Sequence, residues 1–224
     1  MGTLTYKKNT FEYFRRLKPT IANGNVLDYG SNYGTFLESS KKQFPEDMYT
    51  GIDVDQEAID EGKRLFPNAS FICYDGYNAV YNSSGKESVI DLPDTYDTIV
   101  SYSVFSHTSK EDMLEKINWL YTSLKPNGTI LATWLDVDVR AVKDFFYRKR
   151  LMDYGSCDKI ITDDFIYLND NRCSKIVESD IQFLLAFYKK DFLKDLLSNY
   201  NVTLVDSFPD ISGCFQSCMI IQKN

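Results

Sequence analysis

The chain has 224 residues, of which 43% are apolar and 25% charged, the size and composition of one globular domain of the α/β kind. A formal net charge of −7 argues against broad binding to nucleic acid, which needs a basic surface. No apolar stretch approaches the roughly 20 residues that span a bilayer, and the N-terminus lacks the apolar core of a secretory signal. We therefore expect a cytoplasmic protein that binds neither nucleic acid nor membrane.

The cysteines and the single histidine limit the metal and redox chemistry. The five cysteines form no Cys-x-x-Cys pair, and scattered thiols of this kind are typical of a reducing compartment. With His107 as the lone histidine, a zinc site of the Cys/His type is not expected. The sequence therefore predicts no metal site.

Helices and strands alternate over the first 135 residues. A helix is predicted over 9–18, with Thr10 as its N-cap and Pro19 after it. Strands are predicted at 25–28, 48–53, 70–74, 97–102 and 129–135, with intervening helices that end near residues 43, 66 and 124 and a helix fragment plus loop at 77–95. This alternation predicts a mostly parallel, doubly wound sheet.

The alternation breaks after the fifth strand. Residues 136–187 are charged, aromatic and irregular, and we expect them to form an insertion within the domain. A helix at about 188–199 and strands at 202–208 and 214–222 follow. Because only a short segment joins the last two strands, they are predicted to be antiparallel neighbours.

Residues 26–34, Val-Leu-Asp-Tyr-Gly-Ser-Asn-Tyr-Gly, combine a short apolar strand, an acid and two glycines. Gly30 can adopt positive φ, and Gly34 leaves no Cβ between the chain and a ligand. Such a turn either brings the backbone close to a cofactor or merely connects a strand to a helix. The turn alone does not decide between these two readings.

Two further motifs follow in order, Gly-Ile-Asp-Val-Asp at 51–55 and Leu-Lys-Pro-Asn-Gly-Thr-Ile-Leu-Ala-Thr at 124–133. Together with the glycine turn they resemble the class I S-adenosylmethionine-dependent methyltransferases. The resemblance implies a Rossmann-like, seven-stranded, mostly parallel sheet with helices on both faces and a C-terminal antiparallel hairpin. It implies one methyltransferase domain over 1–224, in which 136–187 is a substrate-cover insertion. A nicotinamide-binding domain has no reason to carry the Lys-Pro-Asn-Gly turn, and Asn32 departs from the dinucleotide G-x-G-x-x-G pattern.

The resemblance also implies S-adenosyl-L-methionine as cofactor and assigns roles along the strand ends. Asp28 would support the glycine loop and the cofactor's ammonium group, unless it only caps the turn. Asp53 would accept hydrogen bonds from both ribose hydroxyls, whereas its neighbour Asp55 is better explained as a helix N-cap. Asp75 would receive the adenine amino group or simply open a turn. The predicted cofactor-binding residues are Asp28, Gly30, Ser31, Asn32, Gly34, Asp53, Val54, Asp75, Gly76 and Ser101.

The segment after strand four leads toward the reacting end of such a site. His107 is either a general base for a substrate hydroxyl or a residue that packs and hydrogen-bonds below the cofactor. The basic side chains of 140–150 either clamp an anionic acceptor or form a solvated helix face. The predicted substrate-binding residues are Tyr102, Arg140, Tyr147, Arg148 and Arg150.

From these features we expect methyl transfer to an oxygen, or less often a nitrogen, of a small anionic or sugar-type acceptor. One possible setting is surface polysaccharide biosynthesis, including phosphoramidate-type modification. The alternatives are an inactive methyltransferase-like protein that binds the cofactor, and a methyltransferase of protein or RNA. The sequence does not predict the oligomeric state.

Overall fold

The computed structural model describes residues 9–78, 82, 84–86, 89–138, 159–170, 183–208, 211 and 216–224. Within these ranges the chain forms ten strands and five α-helices. The strands are β1 Val26–Tyr29, β2 Tyr49–Asp53, β3 Ser70–Cys73, β4 Tyr96–Ser101, β5 Leu124–Asp136, β6 Lys159–Ile161, β7 Phe165–Asp170, β8 Phe183–Tyr188, β9 Asn201–Val205 and β10 Ser217–Gln222. The helices are α1 Thr10–Leu17, α2 Thr35–Ser40, α3 Gln56–Leu65, α4 Lys110–Thr122 and α5 Lys190–Leu196.

Seven of the strands form the predicted sheet. Strands β3, β2, β1, β4 and β5 are parallel neighbours in that order, and β10 pairs antiparallel with β5 and with β9. The predicted mostly parallel sheet with an antiparallel C-terminal hairpin is therefore confirmed. Because the chain reverses its order at β1 and β4, their carboxyl ends flank a switch point, where open α/β sheets bind ligands.

The segment expected to be irregular contributes three further strands. The end of β5 pairs in parallel with β8 through Leu135–Phe187 and Asp136–Tyr188. Strand β7 then pairs antiparallel with β8 on one side and with β6 on the other. The strand β5 thus pairs with β10 over residues 129–134 and with β8 at its carboxyl end.

Helices cover both faces of the sheet. Phe14 of α1, Phe36 of α2 and Ile59 of α3 are buried in one apolar cluster. Ile117 of α4 and Leu193 of α5 are buried in another on the opposite face. Burial of this apolar surface on both sides is the main force that stabilises the sheet. None of the helices in the described ranges is long and apolar enough to cross a membrane.

The N-cap of α1 and the end of α2 differ from prediction. The N-cap of α1 is Asn9, whose side chain accepts from the Glu12 N–H, and not Thr10. The Thr10 hydroxyl instead forms a hydrogen bond with the Ser39 hydroxyl, at 3.2 Å. Helix α2 ends at Ser40, three residues early, because Lys41 and Lys42 adopt φ of 50° and 68°. In the predicted helix fragment at 77–95, the described residues form no helix but an isolated bridge between Asn78 and Asn82.

The Lys-Pro-Asn-Gly motif lies at the amino ends of the parallel strands. Lys125 Nζ donates to Oδ2 of Asp97, the second residue of β4, at 2.8 Å. Asn127 adopts a φ of 62°, which asparagine tolerates better than most residues. The motif therefore forms the start of β5, after α4, at the edge opposite the glycine turn.

Candidate cofactor site

The glycine turn between β1 and α2 is left-handed at three alternate positions. The φ angles are 78° at Gly30, 52° at Asn32 and 90° at Gly34. The N–H groups of Gly30 and Ser31 both donate to the Ile52 carbonyl of β2, at 2.9 and 3.1 Å. Asn32 can adopt this conformation because asparagine tolerates a left-handed backbone better than most residues. The turn folds back over the end of β2, as a backbone cradle for a ligand does.

Asp53 closes this turn from the end of β2. Its Oδ2 accepts from the Asn32 N–H at 2.7 Å, and its Oδ1 accepts from the N–H groups of Val54 and Asp55 at 2.8 and 3.1 Å. Burial raises the pKa of Asp53, against the effect of these N–H donors. Asp55 caps α3 by accepting from the Glu57 and Ala58 N–H groups, the role expected of it. Asp53 is thus fixed in orientation while its two oxygens keep lone pairs for further donors.

Asp28, in β1, is more deeply buried than Asp53. It is 5% exposed, and its Oδ2 accepts from the Tyr49 hydroxyl at 2.7 Å. Burial raises the pKa of Asp28 to about 7; the Tyr49 hydrogen bond opposes that shift and the nearby charge of Asp53 adds to it. Asp28 therefore lies beneath the turn, bonded to β2, rather than at its open side.

The segment after β4 packs directly against the turn. A Cβ added to Gly30 would lie 2.2 Å from Cγ2 of Val104, and one added to Gly34 would lie 3.0 Å from Cζ of Phe71. The two glycines therefore allow a close approach as well as positive φ. The turn thus packs against Phe71 of β3 on one side and against the segment after β4 on the other.

At the predicted adenine end the structure places residues on both sides of a turn. Val54 is half-buried against the core beneath α4. Asp75 is exposed; its Oδ1 accepts from the Asn82 side chain at 3.0 Å and its carbonyl accepts from the Lys86 N–H at 2.8 Å. Gly76, beside it, is buried. Asp75 thus bonds to the loop that follows it, and its contact with adenine stays a prediction.

At the predicted reacting end, Ser101 is fully buried and its hydroxyl has no hydrogen-bond partner among the described residues. Ser103 adopts a φ of 64°, and a 3₁₀ helix, Phe105–His107, follows. His107 is half-buried there. Tyr102 packs edge-on against Tyr13 of α1, with ring centroids 5.9 Å apart. The predicted acceptor residues Arg140, Tyr147, Arg148 and Arg150 lie outside the described residues.

Sequence reasoning missed two sets of residues at this edge. Asp136 ends β5, is 4% exposed, and accepts from the Asp138 N–H at 2.8 Å. Burial raises the pKa of Asp136. An acid at the end of a strand was the signal used for Asp28 and Asp53, and applied to β5 it would have found this one. The second set connects Thr133 with Gln216 and had no signal in the sequence.

A buried acid under a left-handed glycine turn, with a second acid at the end of the next strand, defines a Rossmann-like protein that binds a nucleoside-containing cofactor. The model of a methyltransferase domain family matches residues 6–207. The chain therefore belongs to that family, the class I S-adenosylmethionine-dependent methyltransferases, and the family predicted from the three motifs is confirmed. Membership in the family predicts methyl transfer as the activity and S-adenosylmethionine as the cofactor.

Individual relatives are distant. An uncharacterized protein of Rickettsia prowazekii (strain Madrid E) is 27% identical over 127 residues, which are 55% of this chain and 47% of that protein. The chain therefore spans about half the length of the curated relative that it matches. Because that protein is uncharacterized, the match does not indicate a substrate.

Solved structures share the fold along almost the whole chain. A S-adenosylmethionine-dependent methyltransferase from Clostridium acetobutylicum has a TM-score of 0.59 at 12% identity, with 99% of this chain and 93% of that chain covered. An amino pentose methyltransferase from Micromonospora echinaspora, with S-adenosylmethionine bound, has a TM-score of 0.55 at 12% identity, with 96% and 89% covered. At such identities the likeness concerns the fold.

Proposed function

We propose that this protein transfers a methyl group from S-adenosylmethionine to an oxygen, or less often a nitrogen, of a small anionic or sugar-type acceptor. The observation that carries the proposal is the carboxylate of Asp53, held by the Asn32, Val54 and Asp55 N–H groups at the mouth of the left-handed turn. A carboxylate fixed in this way accepts two vicinal hydroxyls with little further loss of conformational entropy.

In this proposal the residues of the turn divide the binding work. Asp53 takes the ribose hydroxyls, and the backbone of 30–34 lies against the methionine part of the cofactor. Asp28 acts from beneath the turn, where it is buried and accepts a hydrogen bond from the Tyr49 hydroxyl. A partial or full negative charge on Asp28 favours binding of the cofactor's ammonium group. Val54, Asp75 and Gly76 surround the adenine.

The cofactor supplies a methyl group already activated on a sulfonium. The protein is therefore left with alignment and exclusion of water, which account for much of the rate in such transfers. The half-buried 3₁₀ helix with His107 and the segment after β4 provide that enclosure in our proposal. His107 either accepts the proton of an acceptor hydroxyl or holds this enclosure in place.

The acceptor class rests on two supports. The stretch 140–150, with Arg140, Arg148 and Arg150, has the donors that bind carboxylate or phosphate oxygens in pairs. The similar structure from Micromonospora echinaspora is an amino pentose methyltransferase. We therefore place the acceptor among anionic or sugar-type small molecules in the cytoplasm, with surface polysaccharide precursors, phosphoramidate-type ones included, as the first to test.

The cofactor role is tested by calorimetric titration with S-adenosylhomocysteine, the demethylated cofactor. We expect wild type to bind and Asp53→Asn to bind at least tenfold more weakly, because an amide accepts at only one of its two positions. Asp55→Asn is the matched control: it keeps an N-cap of α3 and should bind as wild type. Equal affinity of all three proteins would contradict the assignment of Asp53.

The acceptor is tested by transfer of tritium from labelled S-adenosylmethionine into a lysate separated by size. Label in the small-molecule fraction supports the proposal. Label in protein or RNA would replace it with a macromolecular methyltransferase. Binding of S-adenosylhomocysteine without transfer to any fraction would favour a protein that binds the cofactor but lacks activity.

A further inference from the structure

A closed set of hydrogen bonds joins the segment after β4 to β5 and to the start of β10. The Ser103 N–H donates to Thr133 Oγ1 at 2.7 Å, and that hydroxyl donates to Gln216 Oε1 at 2.6 Å. Gln216 Nε2 donates back to Ser103 Oγ at 2.8 Å. Three residues far apart in sequence thus bond to one another in a ring.

The ring is largely buried, which limits the competition from water for its bonds. Thr133 is 0% exposed and Gln216 is 4% exposed, while Ser103 is half-buried. A buried polar side chain that loses its partner is destabilising, so a bond once made here fixes the geometry closely. Helix α1 adds a further bond, since the Tyr13 hydroxyl donates to the Gln216 carbonyl at 2.7 Å.

The residue that the ring holds has a conformation that it would otherwise avoid. Ser103 adopts a φ of 64°, in the left-handed region that is unfavourable for residues with a Cβ. The Thr133 hydroxyl fixes its N–H and the Gln216 amide fixes its hydroxyl, so both sides of the strained residue are bonded. Without the ring, a right-handed or extended Ser103 would redirect the chain that follows.

That chain forms a wall of the cofactor cradle. Val104, the next residue, has its Cγ2 where a Cβ of Gly30 would collide with it, at 2.2 Å. The His107 N–H in turn donates to the Val104 carbonyl at 2.8 Å. A shift at Ser103 would therefore move Val104 away from the glycine turn and take the 3₁₀ helix with it.

We propose that Gln216, together with Thr133, is a positioning residue: it sets the affinity for the cofactor through Ser103 and Val104 without touching the cofactor. The proposal rests on the proposed function, because it takes the glycine turn as the cofactor site. It adds a residue from the C-terminal hairpin to a site otherwise built from the first half of the chain.

The test compares Gln216→Met, which keeps the side-chain length but lacks the amide, with Gln222→Met at the exposed far end of β10. S-adenosylhomocysteine binding is measured by calorimetry well below the unfolding midpoint of every variant. We expect Gln216→Met and Thr133→Val each to weaken binding about tenfold. The double variant should bind no more than slightly more weakly than either single variant, because both residues belong to one ring. Gln222→Met should bind as wild type.

A rescue variant separates positioning from mere stability. Glycine adopts positive φ without strain, so Ser103→Gly in the Gln216→Met background should restore most of the lost affinity. Lowered unfolding midpoints with unchanged affinity in Gln216→Met and Thr133→Val would overturn the proposal, as would the absence of rescue.

If wild type binds no S-adenosylhomocysteine, the proposed function fails, and amide hydrogen exchange still decides the positioning claim. Thr133→Val and Gln216→Met should then speed exchange at Ser103 and His107, whose N–H groups are bonded in wild type. Unchanged exchange at both amides would overturn it.

Discussion

The backbone N–H of Asn32 lies 2.7 Å from Oδ2 of Asp53, so the acid at the end of β2 fixes the middle of the turn that follows β1. Asn32 is left-handed there, with a φ of 52°. The bond uses the backbone, so any residue at position 32 can form it provided that the backbone conformation is kept. The backbone conformation is therefore the first requirement at position 32, and the Asn32 side chain adds one bond by accepting from the Tyr33 N–H at 2.8 Å.

This relationship predicts the tolerance of position 32. Asn32→Gly should change the free energy of unfolding by no more than about 1 kcal/mol and should keep the affinity for S-adenosylhomocysteine. Asn32→Val should cost about 2 kcal/mol, because a β-branched residue is poorly tolerated at positive φ. Denaturant unfolding and calorimetry measure both effects. A valine variant as stable as the glycine variant would contradict this account.

Gly30→Ala should destabilise the protein by about 2 kcal/mol or more, from strain at positive φ and from the collision with Val104. The double variant Gly30→Ala/Val104→Ala should regain the part due to the collision and keep the part due to φ. Chemical denaturation of both variants, with Val104→Ala alone as reference, measures the two parts. Equal stability of the single and double variants would show that no collision occurs.

The burial of Asp28 predicts a pH dependence of stability. Because burial raises its folded-state pKa to about 7, the folded protein holds this proton over a range where the unfolded chain has lost it. Stability of the wild type should therefore fall as pH rises from about 4 to about 7, by up to about 1.4 kcal/mol per pH unit from this group. Above that range the effect should level off.

Asp28→Asn is the comparison for this effect, since its amide oxygen still accepts from the Tyr49 hydroxyl. The difference in unfolding free energy between the two proteins, measured from pH 4 to 8, should grow toward high pH in favour of the variant. A difference that stays constant with pH would mean that Asp28 titrates normally.

Lys125→Met tests whether the Lys-Pro-Asn-Gly motif is structural. The ion pair with Asp97 is partly exposed, so its loss should cost about 1 kcal/mol or less. The affinity for S-adenosylhomocysteine should not change, because the motif lies at the opposite edge of the sheet. Thermal unfolding and calorimetry provide the two readings, and weakened binding would show that the motif acts on the site.

The sequence predicted the parts of the fold that depend on local pattern. The parallel strands and the acids at the ends of β1 and β2 follow from short apolar runs punctuated by Asp and Gly, and these segments carry their signal within a few residues. The strands β6–β8 were not predicted. β6 and β7 lie in a charged, aromatic stretch without clear alternation, and β8 is a short apolar run, Phe-Leu-Leu-Ala-Phe-Tyr, which periodicity alone does not assign to a strand. Asn9 replaced Thr10 as the N-cap because Ser39, 29 residues away, bonds to the Thr10 hydroxyl.

The residues of the site likewise include some that local sequence predicts and some that it does not. Asp53 was predicted as a site residue because it lies at the end of a strand, a position that the sequence pattern reveals. Gln216 was not, because its partners Thr133 and Ser103 are 83 and 113 residues away and none of the three is unusual in its local sequence. A contact of this range is specified by the assembled sheet, and only the three-dimensional structure reveals it.

Because β5 pairs with β10 and also with β8, the inserted strands can be considered as a separate, exchangeable part of the chain. The inserted strands join the sheet at Leu135–Phe187 and Asp136–Tyr188, just beyond the stretch of β5 that pairs with β10. An exchange of the segment between these strands should therefore leave the hydrogen-bond register of β5 with β10 unchanged. If this segment covers the acceptor, as the sequence predicts, a chimera with another segment between positions 137 and 186 should change which molecule is methylated and keep the affinity for the methyl donor.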